Sequence, residues 1–112
     1  SSAASDVYKR QIIKPAISYL KTKYHVSGPY SADTIFLKSN RKKFDVIVGM
    51  YHDQVLTPIK TLHNFNAINI TLGLPFIRIS PDHGPNTNMI GKNKSDPSSF
   101  FYAMKFIENL KK

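Results

Sequence analysis

A histidine beside an aspartate, His52-Asp53, directly follows an apolar run of the chain. A neutral imidazole is a metal ligand at neutral pH, and a neighbouring carboxylate can orient it or add charge. The run before it, residues 44–50 (Phe-Asp-Val-Ile-Val-Gly-Met), has the length and β-branched content expected of a buried strand. In open α/β sheets, ligands collect beyond the carboxyl ends of strands. Spacing alone also leaves open a surface-loop pair with no role. One histidine does not make a metal site, because zinc takes three or four protein ligands. His25, His63 and His83 lie at no tight ligand spacing from His52. His63 reads as solvent-exposed and His83 as a loop residue of a turn, so further ligands are expected from outside this chain.

Three more polar residues stand out. Lys60 is either a solvated helix residue or a cation for an anionic ligand. Asn69 falls in an apolar strand, where its amide must find hydrogen bonds. Arg78 interrupts Phe76, Ile77 and Ile79, so it lies on a solvent face or meets an anion. Its guanidinium forks onto carboxylate or phosphate. Each has an ordinary structural reading beside the functional one. The chain has no phosphate-cradling GxxxxGK[ST], no dinucleotide-binding GxGxxG and no GxSxG nucleophile elbow. Without cysteine it has no thiolate nucleophile, disulfide or cysteine-based zinc site.

The elements that must position these residues follow from periodicity. Residues 12–24 carry Ile12, Ile13, Ala16, Ile17, Leu20 and Tyr24 at helical spacing, with Pro15 tolerable only near the first turn. Gly28-Pro29 is a turn, and Ser31 is a plausible N-cap for a short helix through Phe36. Residues 55–62 predict a short helix weakened by Pro58. Residues 67–72 and 76–80 predict two strands able to pair as a hairpin around Gly73-Leu74-Pro75. Residues 81–94 form a Gly-, Asn- and Pro-rich loop. Asp96 is then an N-cap with Pro97 at the first helical position, opening a helix to about Leu110 that buries Phe100, Ala103, Met104, Ile107 and Leu110. Helices flanking β-rich runs predict an α/β class.

With 112 residues and 41% hydrophobic content, the chain suits one small core. Residues 1–11 lack a periodic apolar pattern and read as a non-native extension; residues 12–112 are the portion to which the fold reasoning applies. The net charge of +9 invites a nucleic-acid reading. The lysines are spread along the chain, however, and the cluster Lys38, Arg41, Lys42 and Lys43 has no RNA-binding motif beside it, which favours a solvated loop. No apolar run reaches membrane-spanning length.

Taken together the motifs are specific. Residues 28–36 (Gly-Pro-Tyr-Ser-Ala-Asp-Thr-Ile-Phe) resemble a GPxxADTxF segment and residues 50–54 a MYHDQ signature. Residues 69–78 resemble an NITLGLPFIR block. Residues 80–84, followed by Gly91-Lys92 and residues 96–99 (Asp-Pro-Ser-Ser), resemble an SxDHG…GKGKADPSS ending. In this order and spacing they resemble the C-terminal part of the 4-hydroxythreonine-4-phosphate dehydrogenase family, over residues 12–112.

That resemblance implies part of an isocitrate/isopropylmalate dehydrogenase-like α/β/α fold, incomplete in this chain. It implies NAD-dependent oxidation and decarboxylation of 4-phosphooxy-L-threonine to 3-amino-2-oxopropyl phosphate, in pyridoxal phosphate biosynthesis, by a cytoplasmic homodimer. The cofactors implied are NAD and a divalent cation of the Zn, Mg or Co class, at a site shared between subunits. Carried over by motif, His52 is a metal ligand, and Lys60, Asn69 and Arg78 are substrate contacts. Asp53 is a catalytic-base or orienting candidate; no NAD-binding residue is assigned. Two more metal histidines and a substrate-binding His-Thr pair are absent, so the chain alone is expected to be inactive. No nucleic-acid or membrane partner is implied. A sister enzyme acting on 4-phospho-threonate or 4-phospho-erythronate fits the same signature, and a noncatalytic basic binding module is the reading from another class. Several family glycines are missing. Val55 follows YHDQ, residues 64–68 replace a Gly-rich stretch, Pro85-Asn86 replaces the end of DHGTA, and Asn93 replaces a Gly of GKGK. If the glycine at 55 needed positive φ, Val55 would be strained.

Overall fold

In a computed structural model, residues 2–84 and 87–111 are described; Pro85 and Asn86, where the family ending departs, lie outside them. Two units are distinguished, Ser1–Ile47 and Val48–Lys112.

The first unit opens with helix α1 (Ser2–Tyr8), a π-helical stretch (Lys9–Ile13) and helix α2 (Lys14–Leu20). The helical run therefore begins ten residues before the apolar periodicity does. Proline explains the wide turn between α1 and α2. Pro15 has no N–H to donate, and in a regular α-helix its ring would collide with the carbonyl of Gln11. The chain loosens instead, and the Lys14 N–H reaches back to the Lys9 carbonyl. Residues 32–36 are turns rather than the expected short helix; Ser31 accepts from the Thr34 and Ile35 N–H groups through its carbonyl, not its side chain. A four-residue helix, α3 (Lys38–Arg41), follows. Ile35 is the buried hydrophobic residue here, and the Tyr30 and Phe44 rings meet at 5.2 Å.

The apolar run 44–50 does not form the expected strand. Val46 and Val48 are each 75% exposed. A buried strand needs ladder partners for its backbone N–H and C=O groups. The only ladder among the described residues is between two later strands, so nothing here pairs with the run.

In the second unit, helix α4 (His52–His63) begins where that run ends. His52 and Asp53 thus occupy a first helical turn, not a loop. Gln54 sets this start: its Oε1 accepts from the Met50 N–H at 3.0 Å and the Tyr51 N–H at 3.2 Å. Helix α4 runs through Pro58, which leaves the Gln54 carbonyl without its usual helical donor. Val55 lies in regular helix without positive φ, so the strain feared there does not arise. Its Cγ1 fills the space that a Cβ on Gly49 would need, so the glycine is demanded at 49. Asn93, in place of a glycine of GKGK, and Asn64, in the stretch that replaces a Gly-rich one, stand in the positive-φ region, at 49° and 51°. Asparagine visits that region more readily than other side-chain-bearing residues.

Strands β1 (Ile68–Thr71) and β2 (Arg78–Pro81) form the expected antiparallel hairpin, in the register Ile68–Pro81, Asn69–Ser80, Ile70–Ile79 and Thr71–Arg78. Gly73, at φ 84°, makes the turn between them possible. A 3-10 turn (Thr87–Met89) precedes helix α5 (Ser98–Leu110), which lies against both strands. The helix starts one residue later than expected, with Pro97 at its N-cap, and Asp96 closes the turn before it, its Oδ1 accepting from the Ser98 N–H at 2.9 Å and from the Ser98 hydroxyl. The expected core face of α5 is only partly realised. Ala103 is buried and Ile107 half-buried, while Phe100, Met104 and Leu110 are exposed, as are Phe101 and Tyr102. A short hairpin covers one helix flank and leaves the rest of an apolar helix uncovered. No helix among the described residues is long and apolar enough to cross a membrane.

Candidate functional site

The predicted site residues fall into three places. At the N-terminus of α4, the His52 Nδ1 lies 3.1 Å from the Asp53 Oδ1, with the side chains 79% and 92% exposed. With the proton on Nδ1 donated to that carboxylate, Nε2 carries the free lone pair. The pair thus has the makings of one metal ligand with its orienting carboxylate. Among the described residues no three His, Asp or Glu side chains cluster as a metal site. The donor chemistry fits a divalent cation at one coordination position, and the remaining ligands must come from other groups.

Lys60 lies two helical turns on, roughly 12 Å along the axis from His52. Its side chain is far from free. Its ammonium lies 3.2 Å from the Asp82 Oδ2, also donates to the Asp82 carbonyl, and sits 6.0 Å from the centre of the Phe65 ring. With Asn64, Phe65 and Asp96, Lys60 borders an open depression of about 340 Å³.

Asn69 and Arg78 share the third place. Successive strand residues point to opposite faces. The register therefore puts Asn69, Thr71, Arg78 and Ser80 on one face and Ile68, Ile70, Ile79 and Pro81 on the other. Asn69 and Arg78 are diagonal neighbours on the polar face, about 7–8 Å apart by strand geometry with their Cβ atoms somewhat closer. Asn69 is exposed, not locked into a core, and Arg78 is exposed with its Nη1 donating to the Thr71 Oγ1 at 2.8 Å. The chain thus brings Asn69 and Arg78 together, and places Lys60 and the His52–Asp53 pair at opposite ends of one helix.

Two residues that the sequence reading passed over support this arrangement. Ser99, 1% exposed, donates its hydroxyl to the Ala67 carbonyl just before β1 and accepts the Asp82 N–H at 2.7 Å just after β2. One hydroxyl thereby pins both open ends of the hairpin to α5, using its donor and an acceptor site. Asp82 in turn holds Lys60. Both lie inside motifs already noted, in residues 80–84 and 96–99, but pairing across 17 and 22 positions leaves no local signal.

Comparison with known proteins points to one family. Residues 8–107 fit the family model described as pyridoxal phosphate biosynthetic protein PdxA, a match that starts inside the segment set apart by composition. A 4-hydroxythreonine-4-phosphate dehydrogenase of Xanthobacter autotrophicus is 47% identical over 100 residues, covering 88% of this chain and 29% of that protein. One from a Sulfurihydrogenibium species is also 47% identical, over 93% of this chain and 32% of the relative. Among solved structures, one described as a 4-hydroxythreonine-4-phosphate dehydrogenase from Salmonella typhimurium matches with a TM-score of 0.69 at 37% identity, over 88% of this chain and 30% of that one. Another from Burkholderia phymatum matches with a TM-score of 0.63 at 38% identity, with the same coverage. The chain therefore spans about 30% of the length of these relatives. On the family model, the identity over most of its length and the agreement in fold, this chain belongs to the PdxA family of pyridoxal phosphate biosynthetic proteins.

Proposed function

We propose that the protein to which this chain belongs is a 4-hydroxythreonine-4-phosphate dehydrogenase. It oxidises 4-phosphooxy-L-threonine and releases carbon dioxide, yielding 3-amino-2-oxopropyl phosphate. Its fold is of the isocitrate/isopropylmalate dehydrogenase-like α/β/α kind, and it works as a cytoplasmic homodimer with a metal site shared between subunits. The observation that carries this reading is the exposed His52 ring, with one nitrogen beside the Asp53 carboxylate and the other free for a cation. Oxidation removes a hydride and a proton from the secondary alcohol, with NAD as hydride acceptor. The resulting β-keto acid loses carbon dioxide and the enolate left behind takes up a proton. A divalent cation, when bound, supplies Lewis acidity for both stages.

This chain's residues divide the remaining work. Asp53 either fixes the imidazole's tautomer and angle or takes the alcohol proton. Lys60, Asn69 and Arg78 hold the substrate's anionic and hydroxyl groups by charge-assisted bonds, so that binding energy is spent on orientation. The test is NADH formation by the purified full-length enzyme with divalent metal and 4-phosphooxy-L-threonine. Turnover lost on chelation and restored by metal supports the reading. Faster turnover of 4-phospho-threonate or 4-phospho-erythronate would reassign the enzyme to the sister activity. No NADH from any of the three would refute it.

A further inference from the structure

We infer that Asp82 is the positioning residue for Lys60, holding its ammonium at the edge of the depression as a fixed cation for an anionic group of the substrate. The inference rests on the reading of Lys60 as a substrate contact. A free lysine side chain loses much rotamer freedom when it is fixed in one place. A cation that must find one phosphate or carboxylate binds better when that freedom has already been lost. Asp82 removes it at two points, through Oδ2 at 3.2 Å and through its own backbone carbonyl. An ammonium has three N–H donors. Two face Asp82, which leaves one for a ligand.

Asp82 can do this because it is itself held. Its side chain is only 15% exposed, and its N–H is fixed by the buried Ser99 hydroxyl. The ion pair thus joins the Lys60 side chain of α4 to the residue just after β2, whose backbone is held in turn by the start of α5. Asp96 lines the same depression with its carboxylate turned onto Ser98. Lys60 is the cation on that rim.

The test is a mutant cycle in the full-length enzyme with 4-phosphooxy-L-threonine, comparing Lys60→Met, Asp82→Ala and the double variant, with Asp82→Asn as the conservative replacement. Asp82→Ala is expected to raise KM about tenfold and leave kcat within about twofold, the signature of lost binding. Asp82→Asn, which keeps an oxygen in place, should recover most of the loss. In the Lys60→Met background, Asp82→Ala should add less than about twofold, because residues acting through one another are not additive. Should Asp82→Ala fail to fold, Asp82→Glu serves in the same cycle, since it keeps the charge but displaces the oxygen. A raised KM in Lys60→Met with an unchanged KM in the Asp82 variant overturns the inference alone. So does an Asp82 effect that persists undiminished without Lys60. An unchanged KM in Lys60→Met overturns the substrate role of Lys60 and this inference with it.

Discussion

The two ends of helix α4 are built on opposite plans. At its N-terminus, His52 and Asp53 stand in solvent, their side chains paired with each other. At its C-terminal half, Lys60 is tied through Asp82 and Ser99 into the hairpin and α5. The contrast separates two tasks. On the function proposed, a metal ligand is completed by the ion and by ligands from other groups, which suits an open position for His52. A cation meant for an anionic substrate group can be oriented by one chain's own packing, and the hold of Asp82 on Lys60 suits that proposed task.

The largest expected effect lies at the open end. In the full-length enzyme, His52→Ala should lower metal-dependent turnover by roughly two orders of magnitude or more, and should weaken metal affinity measured directly by titration. The same change should leave thermal stability of the metal-free protein almost untouched, because the ring is 79% exposed. Metal affinity equal to that of the unaltered enzyme would remove His52 from the site and dissolve the contrast.

The closed end should respond in the other way. Ser99→Ala strands the Asp82 N–H and the Ala67 carbonyl, both half-buried, without their partner. An unsatisfied buried polar group costs about 1–3 kcal/mol. Chemical denaturation of the full-length enzyme should register a loss of that order, with metal affinity unchanged. A stability loss below about half a kcal/mol would mean that the hydroxyl is not the tie between hairpin and helix.

How much of this was legible in the sequence follows from how local each signal is. The hairpin was readable because alternation and Gly73 act within a dozen residues. Helix α5 was readable from the Asp96-Pro97 start. Helix α4 was placed too late, because Gln54 fixes its beginning through the backbone of Met50 and Tyr51, and neither Tyr51 nor the apolar run before it is a usual cap signal. The strand expected at 44–50 failed for a different reason. Its composition suits burial, but burial is supplied by neighbours, and none of the described residues pairs with it. Phe100, Met104 and Leu110 were assigned to a core on the same grounds and are exposed. His52, Lys60, Asn69 and Arg78 were found as residue types at motif positions. That Asn69 and Arg78 share a face follows once the hairpin register is known, whereas the hold of Asp82 on Lys60 depends on contacts across 22 positions and had no sequence signature.

The smallest effect expected is at the rim of the Lys60 depression, and it sharpens the contrast by pH. The Ser98 hydroxyl, and then its backbone N–H, donate to Asp96 and hold its carboxyl below the ordinary value of 3.8. A carboxyl whose value is lowered by folding stabilises the folded state when ionised. That contribution is fully present above the unfolded value and is lost as the pH falls through the lower folded one. Asp96→Ala should therefore lower the melting temperature of the full-length enzyme slightly at neutral pH. The difference from the unaltered enzyme should shrink below about pH 3.8. Asp96→Asn keeps an acceptor for the Ser98 N–H, so it should lose less than alanine at neutral pH and show little of the acid-dependent change. Asp96 is fully exposed, so salt should weaken the effect. A melting difference for Asp96→Ala that stays constant from neutral pH down past pH 3.8 would mean that the carboxylate charge does not cap α5. The cap would then rest on packing alone, as it does not where Ser99 ties the hairpin down.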